Sequence, residues 1–91
     1  MEITYDLIKN ARNIELRNLG FDEAVNFDFQ TAIFKVDDRF DYAEIRHRAL
    51  GFLGDRLHAL IFVETIDGIR IISFRKANKR EVKQYEKIAQ P

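Results

Sequence analysis

Residues 46–75 read RHRALGFLGDRLHALIFVETIDGIRIISFR. The stretch is rich in β-branched and aromatic residues and is interrupted by turn-forming pairs at Gly54-Asp55 and Asp67-Gly68, the second of the Asp-Gly type that suits a primed hairpin turn. Together with the preceding sequence it predicts four strands, over residues 31–36, 46–52, 57–64 and 69–75. The connections are too short for the crossovers that parallel strands need, so we expect an antiparallel meander.

Helical patterns flank this predicted sheet on both sides. Asp6 precedes apolar residues at helical spacing and is the expected N-cap of a first helix that stops at Gly20, with a second short helix near residues 21–25. Asn78 and Glu81 form the N-x-x-E pattern of a capping box and predict a C-terminal amphipathic helix that docks on the sheet. We therefore expect an α+β fold with N-terminal helices, an antiparallel meander and a C-terminal helix.

Length and composition limit the classes of protein. A chain of 91 residues, 46% hydrophobic and 33% charged, is expected to fold as one domain over 1–91. The absence of cysteine excludes disulfides and thiolate zinc sites, and two histidines without ligand spacing give no reason to expect a metal. No phosphate-binding loop or dinucleotide motif is present, so we expect no cofactor. Without a signal-peptide pattern or a long apolar run, we expect a cytoplasmic protein with no membrane contact.

The charges are unevenly distributed along a chain whose formal net charge is zero. Residues 1–45 contain ten Asp/Glu and five Lys/Arg, whereas residues 46–91 contain five Asp/Glu and ten Lys/Arg. This asymmetry indicates a surface for nucleic acid or an acidic partner on the C-terminal half, although an uneven solvated surface has the same pattern.

Basic residues cluster in and after the last predicted strand. Period-2 alternation places Arg70 and Arg75 on opposite faces of that strand, whereas Arg46 and Arg48 share a face of theirs. Spacings of 4, 3 and 4 predict one basic stripe on the C-terminal helix, formed by Lys76, Arg80, Lys83 and Lys87. Guanidinium forks bind phosphate oxygens in pairs, so these positions predict phosphate binding; solvation of an outer surface is the alternative explanation.

The remaining titratable residues have structural explanations. His47 and His58 are expected to be packed in or beside the sheet. Tyr85 lies in the apolar stripe of the last helix, and the capping box accounts for Glu81.

Several motifs extend nearly from end to end of the chain. They are Asp6-x-x-Lys9-x-x-x-Asn13, Phe21-Asp22-Glu23-Ala24, Asp38-x-x-x-Tyr42-x-Glu44-x-Arg46 with Gly51, and Arg70-Ile71-Ile72-Ser73-Phe74-Arg75-Lys76-Ala77 followed by Arg80-Glu81 and Tyr85-Glu86. Together they resemble the BrnT family of type II toxin–antitoxin toxins, small relatives of the RelE-like ribonucleases.

This resemblance implies a RelE-like fold and a metal-independent ribonuclease that cleaves RNA and inhibits translation. It also implies neutralisation by a cognate BrnA-like antitoxin, with operator DNA bound only through that antitoxin. The matching positions assign catalysis to Arg46, Arg75, Arg80 and Glu44, and RNA-phosphate binding to Arg70, Lys76 and Lys83. The general base stays open among Glu44, Glu81 and Tyr85.

Two segments depart from the family pattern. A usual Lys-His-Gly is replaced by Leu16-Arg17-Asn18, and a usual Thr-x-Arg-Gly turn is replaced by the segment around Thr65. Two alternatives therefore stay open. One is a catalytically weak or inactive binding module that acts in a regulatory complex of antitoxin and operator DNA. The other is a sheet protein that binds RNA without cleaving it.

Overall fold

A computed structural model describes residues 1–39 and 41–89. Along these residues the elements are β1 (Glu2–Tyr5), α1 (Leu7–Arg17), a 3₁₀ helix (Phe21–Asn26), β2 (Ile33–Val36), β3 (His47–Leu53), β4 (Arg56–Glu64), β5 (Gly68–Lys76) and α2 (Lys79–Ala89). The strands form one sheet in the order β1-β5-β4-β3-β2. The predicted α+β class and the antiparallel meander of β2 to β5 are confirmed. Neither α-helix of the described part is long and apolar enough to cross a bilayer.

The prediction that helices come first and that the sheet is purely antiparallel is wrong. The chain begins with β1, which pairs in parallel with β5 and makes the sheet mixed. Gly68 lies where the two strands approach, and a Cβ at this position would overlap the backbone of Glu2. The pairing joins the first strand to the last, so no local sequence pattern indicates it.

The two predicted hairpin turns have different outcomes. Gly54 begins the two-residue turn between β3 and β4 and has a φ of 65°, as a primed turn requires. Asp67-Gly68 is not the turn pair of the second hairpin. Thr65 N–H donates to the Gly68 carbonyl, and Gly68 N–H donates to Thr65 Oγ1, so Ile66 and Asp67 form the tip.

The predicted N-cap of α1 is confirmed, but the predicted end of this helix at Gly20 is not. The Asp6 carboxylate accepts hydrogen bonds from Ile8 N–H and Lys9 N–H, both at 2.9 Å. The helix ends at Asn18, whose left-handed φ of 55° closes α1 before Gly20 is reached.

Each face of the sheet carries its own apolar cluster. The back face, around the fully buried Leu60, Ile71 and Phe74, packs against the 3₁₀ helix. The front face packs its apolar residues, centred on Leu50, Leu57, Ala59 and Ala77, against Val82 and Tyr85 of α2. Tyr85 is therefore packed as predicted, and its hydroxyl donates to the Thr31 carbonyl.

A β-bulge interrupts the regular alternation of β5. Ile61 of β4 lies opposite Ser73, but the next residue, Phe62, lies opposite Ile71. Ile72 is therefore an extra residue in β5, and the alternation of faces shifts by one position there.

This shift corrects the predicted faces of the last strand. Phe74 shares the back face with Ile71, and Arg75 shares the front face with Arg70. The prediction that the two arginines lie on opposite faces is wrong, because strict period-2 alternation does not continue across a bulge.

Candidate functional site

Basic side chains line the front face beyond its apolar contact with α2. Register pairing places Arg48 and Lys35 side by side on this face, while Arg70 and Arg75 reach it from β5. Arg46, just before β3, joins them through Glu44, which contacts both Arg46 and Arg70. We call the group formed by Arg46, Arg48, Arg70 and Arg75, with Glu44 and Glu81, the arginine face.

Glu44 connects two of these arginines. Its Oε1 accepts a hydrogen bond from Arg70 Nη2 at 2.7 Å, and its Oε2 lies 3.3 Å from Arg46 Nε. The guanidinium of Arg70, and then that of Arg46, lowers the pKa of Glu44, which is therefore ionised at neutral pH. All three side chains keep between about a quarter and a half of their surface exposed, so a ligand can reach them.

The loop before β3 positions Arg46. The Arg46 guanidinium lies over the Tyr42 ring, 3.9 Å from its centroid. The Tyr42 hydroxyl donates to the buried Asp37, which also accepts two hydrogen bonds from Arg39. Arg39 lowers the pKa of Asp37 and keeps the buried carboxyl ionised. The sequence signal for this pair is an acid two residues before an arginine.

Arg75 and Glu81 form a bidentate pair at the other end of the arginine face. Arg75 Nη1 and Nη2 lie 2.8 and 3.0 Å from the two Glu81 oxygens. Glu81 is buried and also accepts the Asn78 N–H, while Glu81 N–H donates to Asn78 Oδ1, both at 2.9 Å. The predicted capping box is thus confirmed. The paired guanidinium lowers the pKa of Glu81, and the carboxylate in turn raises the pKa of Arg75.

The other predicted site residues lie apart from this group. Arg80 and Lys83 are exposed on α2, which packs on the same face of the sheet. Lys76 is the last residue of β5 and lies opposite His58 in the register, so its side chain belongs to the back face. The predicted helical stripe is therefore wrong at Lys76, because α2 begins only at Lys79.

Both histidines lie on the back face and are packed, as predicted. The ring of His47 stacks on Phe62, and its Nε2 lies 3.4 Å from a Glu64 oxygen. His58 is buried against Phe74. Within residues 1–39 and 41–89, no three His, Asp or Glu side chains are grouped as metal ligands.

Comparison with known families identifies the chain. A family model described as "Ribonuclease toxin, BrnT, of type II toxin-antitoxin system" matches residues 5–81, a range that contains every acidic and basic member of the arginine face. A search of curated proteins finds no match. Membership of a type II system implies an antitoxin partner. The chain therefore belongs to the BrnT family of ribonuclease toxins of type II toxin–antitoxin systems.

Proposed function

We propose that this chain is a RelE-like endoribonuclease toxin that cleaves RNA on the arginine face without a metal ion and thereby inhibits translation. A cognate BrnA-like antitoxin neutralises it and carries the operator-DNA contact. The observation that supports this proposal best is the ionised Glu44 carboxylate between Arg46 and Arg70 on an open sheet face.

RNA supplies the nucleophile for its own cleavage. The 2′-hydroxyl loses its proton and attacks the adjacent phosphorus, a new P–O2′ bond forms, and the P–O5′ bond breaks. The 5′ oxygen takes a proton from solvent and leaves, so the products are a 2′,3′-cyclic phosphate and a 5′-hydroxyl. The protein has to position the phosphate and stabilise the added negative charge, which guanidinium groups do well.

Glu44, Arg46 and Arg70 divide this work. The two guanidiniums bind the nonbridging phosphate oxygens, and Glu44 accepts the 2′-hydroxyl proton. In the free protein the arginines make Glu44 a weak base, because they lower its pKa. A bound phosphate competes for both guanidiniums, so the pKa of Glu44 moves back toward its ordinary value when substrate is present.

Arg75, Arg80 and Lys83 extend the basic surface along the RNA. Arg75 lies about 13 Å from Arg70 along the strand, at about 3.3 Å per residue of the paired strand β4. It therefore binds a different phosphate from the one held by Arg46 and Arg70. Arg80 and Lys83, exposed on α2, are the next cations available to the same strand of RNA.

The first test is cleavage of a single-stranded RNA by the purified chain, on free RNA and in a translation extract. We expect 2′,3′-cyclic phosphate ends, no effect of EDTA, and no cleavage of DNA with the same sequence. Arg46→Ala, Arg70→Ala and Arg80→Ala are each expected to lower the rate about ten- to a hundredfold, because charge-assisted phosphate contacts contribute about 1.5–3 kcal/mol. Arg12→Ala, an exposed arginine on α1, is the matched control and should keep the rate.

Two outcomes would contradict the proposal. EDTA-sensitive cleavage would require a metal mechanism. RNA that is bound but stays intact in both assays would favour the alternative of a sheet protein that binds RNA without cleaving it.

A further inference from the structure

A second basic site lies on the back face at the end of β5. Here the end of α1, strand β4 and the β5–α2 junction surround an open cavity of about 1020 Å³. Its polar lining includes Arg17 and Asn18 from the end of α1, His58 from β4, and Lys76 and Asn78 from the junction. Arg75 of the arginine face also lines the cavity, but Arg17, Asn18, His58 and Asn78 have no role in the proposed cleavage.

His58 presents a hydrogen-bond acceptor to the cavity. The residue is only 5% exposed, and its Nδ1 lies 2.8 Å from the Arg56 carbonyl oxygen. A carbonyl can only accept, so Nδ1 carries the proton and Nε2 of the neutral ring carries a lone pair. Burial, followed by the charges of Arg56 and Lys76, lowers the pKa of His58, so the ring is neutral at neutral pH.

The Nε2 atom of His58 has no hydrogen-bond partner among residues 1–39 and 41–89. No fully enclosed side-chain nitrogen or oxygen in this part of the chain lacks a partner, so Nε2 is not fully enclosed, and the cavity is the open space that His58 lines. Buried acceptors are normally satisfied, and this one is satisfied only by something that enters the cavity.

Two cations line the same cavity as this acceptor. Lys76 lies directly opposite His58 in the sheet, and Arg17 lies in the last turn of α1. Neither forms an ion pair with any residue that the structure describes, and the acidic side chain in the lining is that of Glu15. The cavity therefore suits a ligand that carries both an anionic group and a hydroxyl or amine donor.

We propose that this cavity is a second RNA subsite, in which Arg17 and Lys76 bind a backbone phosphate and His58 Nε2 accepts a hydrogen bond from a ribose 2′-hydroxyl. The inference rests on the proposed function, which makes RNA the ligand. Arg75 connects the two sites, because its guanidinium belongs to the arginine face and donates to the Lys76 carbonyl at the cavity. An RNA strand that leaves the arginine face therefore passes around the end of β5 into the cavity.

The test measures binding of the full chain to a fluorescent 12-nucleotide RNA and to DNA of the same sequence, with RNA integrity checked on a gel. His58→Leu removes the acceptor and keeps an apolar buried side chain. It is expected to weaken RNA binding about three- to tenfold, the effect of one lost hydrogen bond, and to leave DNA binding unchanged. Unchanged DNA binding also shows that the variant is folded.

Arg17→Gln and Lys76→Gln are expected to weaken binding of both RNA and DNA. Each lost phosphate contact should also reduce the slope of log affinity against log salt concentration by about 0.7. Lys79→Gln, an exposed lysine outside the cavity lining, is the matched control and should change neither. Equal losses for RNA and DNA in His58→Leu, or no loss in any of the three variants, would overturn the subsite. If RNA is still cleaved and none of the three variants changes binding, only the subsite is contradicted. If binding depends on the 2′-hydroxyl but RNA is not cleaved, only the proposed ribonuclease activity is contradicted.

Discussion

Arg75 combines a candidate role in phosphate binding with a structural role in the junction between β5 and α2. Its guanidinium occupies both oxygens of Glu81, and Glu81 also caps the first turn of α2 through Asn78. Arg70 differs, because its partner Glu44 is partly exposed and keeps Arg46 as a second partner. Loss of activity in an Arg75 variant can therefore come from a less stable fold as well as from a lost phosphate contact, whereas in an Arg70 variant it points to the phosphate contact.

We expect Arg75→Ala to lower the free energy of unfolding by about 2 kcal/mol, since it leaves the buried Glu81 carboxylate without its charged partner. Arg70→Ala should cost less than about 1 kcal/mol, as for partly exposed ion pairs in general. Urea denaturation of the two variants beside the unmodified chain measures the difference. Equal midpoints for the two variants would show that the Arg75–Glu81 pair does not stabilise the fold.

Most of these residues could be identified from the sequence, but few of their contacts could. The capping box lies within four consecutive residues, so its spacing alone predicts both hydrogen bonds. The bond between Arg70 and Glu44 joins residues 26 positions apart and depends on where the loop before β3 meets β5. His58 was expected to be packed, which it is, but only the structure reveals that the residue lines a cavity.

At the scale of elements, the strands that have local sequence signals were predicted, whereas the bulge in β5 and the pairing of β1 with β5 were not. Short turns and alternating apolar residues indicate the meander of β2 to β5. The bulge at Ile72 has no proline or glycine to mark it, yet it moves Arg75 to the face of Arg70 and so assembles the arginine face. The parallel pairing of β1 with β5 brings together the two most distant strands and likewise has no local signal.

Gly68→Ala tests how tightly β1 is held. A Cβ at Gly68 would overlap the backbone of Glu2, so we expect β1 to be displaced at a cost of about 2–3 kcal/mol. Gly54→Ala is the control: Gly54 has open space around it but a positive φ, so strain alone should cost about 1 kcal/mol. Denaturation midpoints, with hydrogen exchange of the Glu2–Tyr5 amides, measure both effects. If Gly68→Ala left those amides protected and unfolded no earlier than Gly54→Ala, the close approach of β1 would not be a constraint.

At the scale of the whole molecule, the net charge is zero but basic side chains are concentrated around strand β5. The arginine face and the cavity lie on opposite sides of β5 and meet at Arg75. On the arginine face the cations outnumber Glu44 and Glu81, so the face is positive even after internal pairing. Such a surface attracts any polyanion, including an acidic segment of a protein.

The antitoxin partner of this family is therefore expected to cover the arginine face with an acidic segment and to exclude RNA by occupying its phosphate positions. Reversing Arg46 and Arg48 of the arginine face together with Arg80 of α2, which packs on the same face of the sheet, to glutamate should weaken the complex with the cognate antitoxin at least about a hundredfold, because like charges then face each other. Arg75 is left unchanged, since a glutamate there would lie against the buried Glu81.

The matched control reverses three exposed cations elsewhere, Lys9, Arg12 and Arg56. Calorimetric titration of both triple variants measures the affinity, and circular dichroism checks that each is folded. If the variant reversed at Arg46, Arg48 and Arg80 bound as tightly as the control, the antitoxin would have to neutralise the toxin from another surface, and direct occlusion would be excluded.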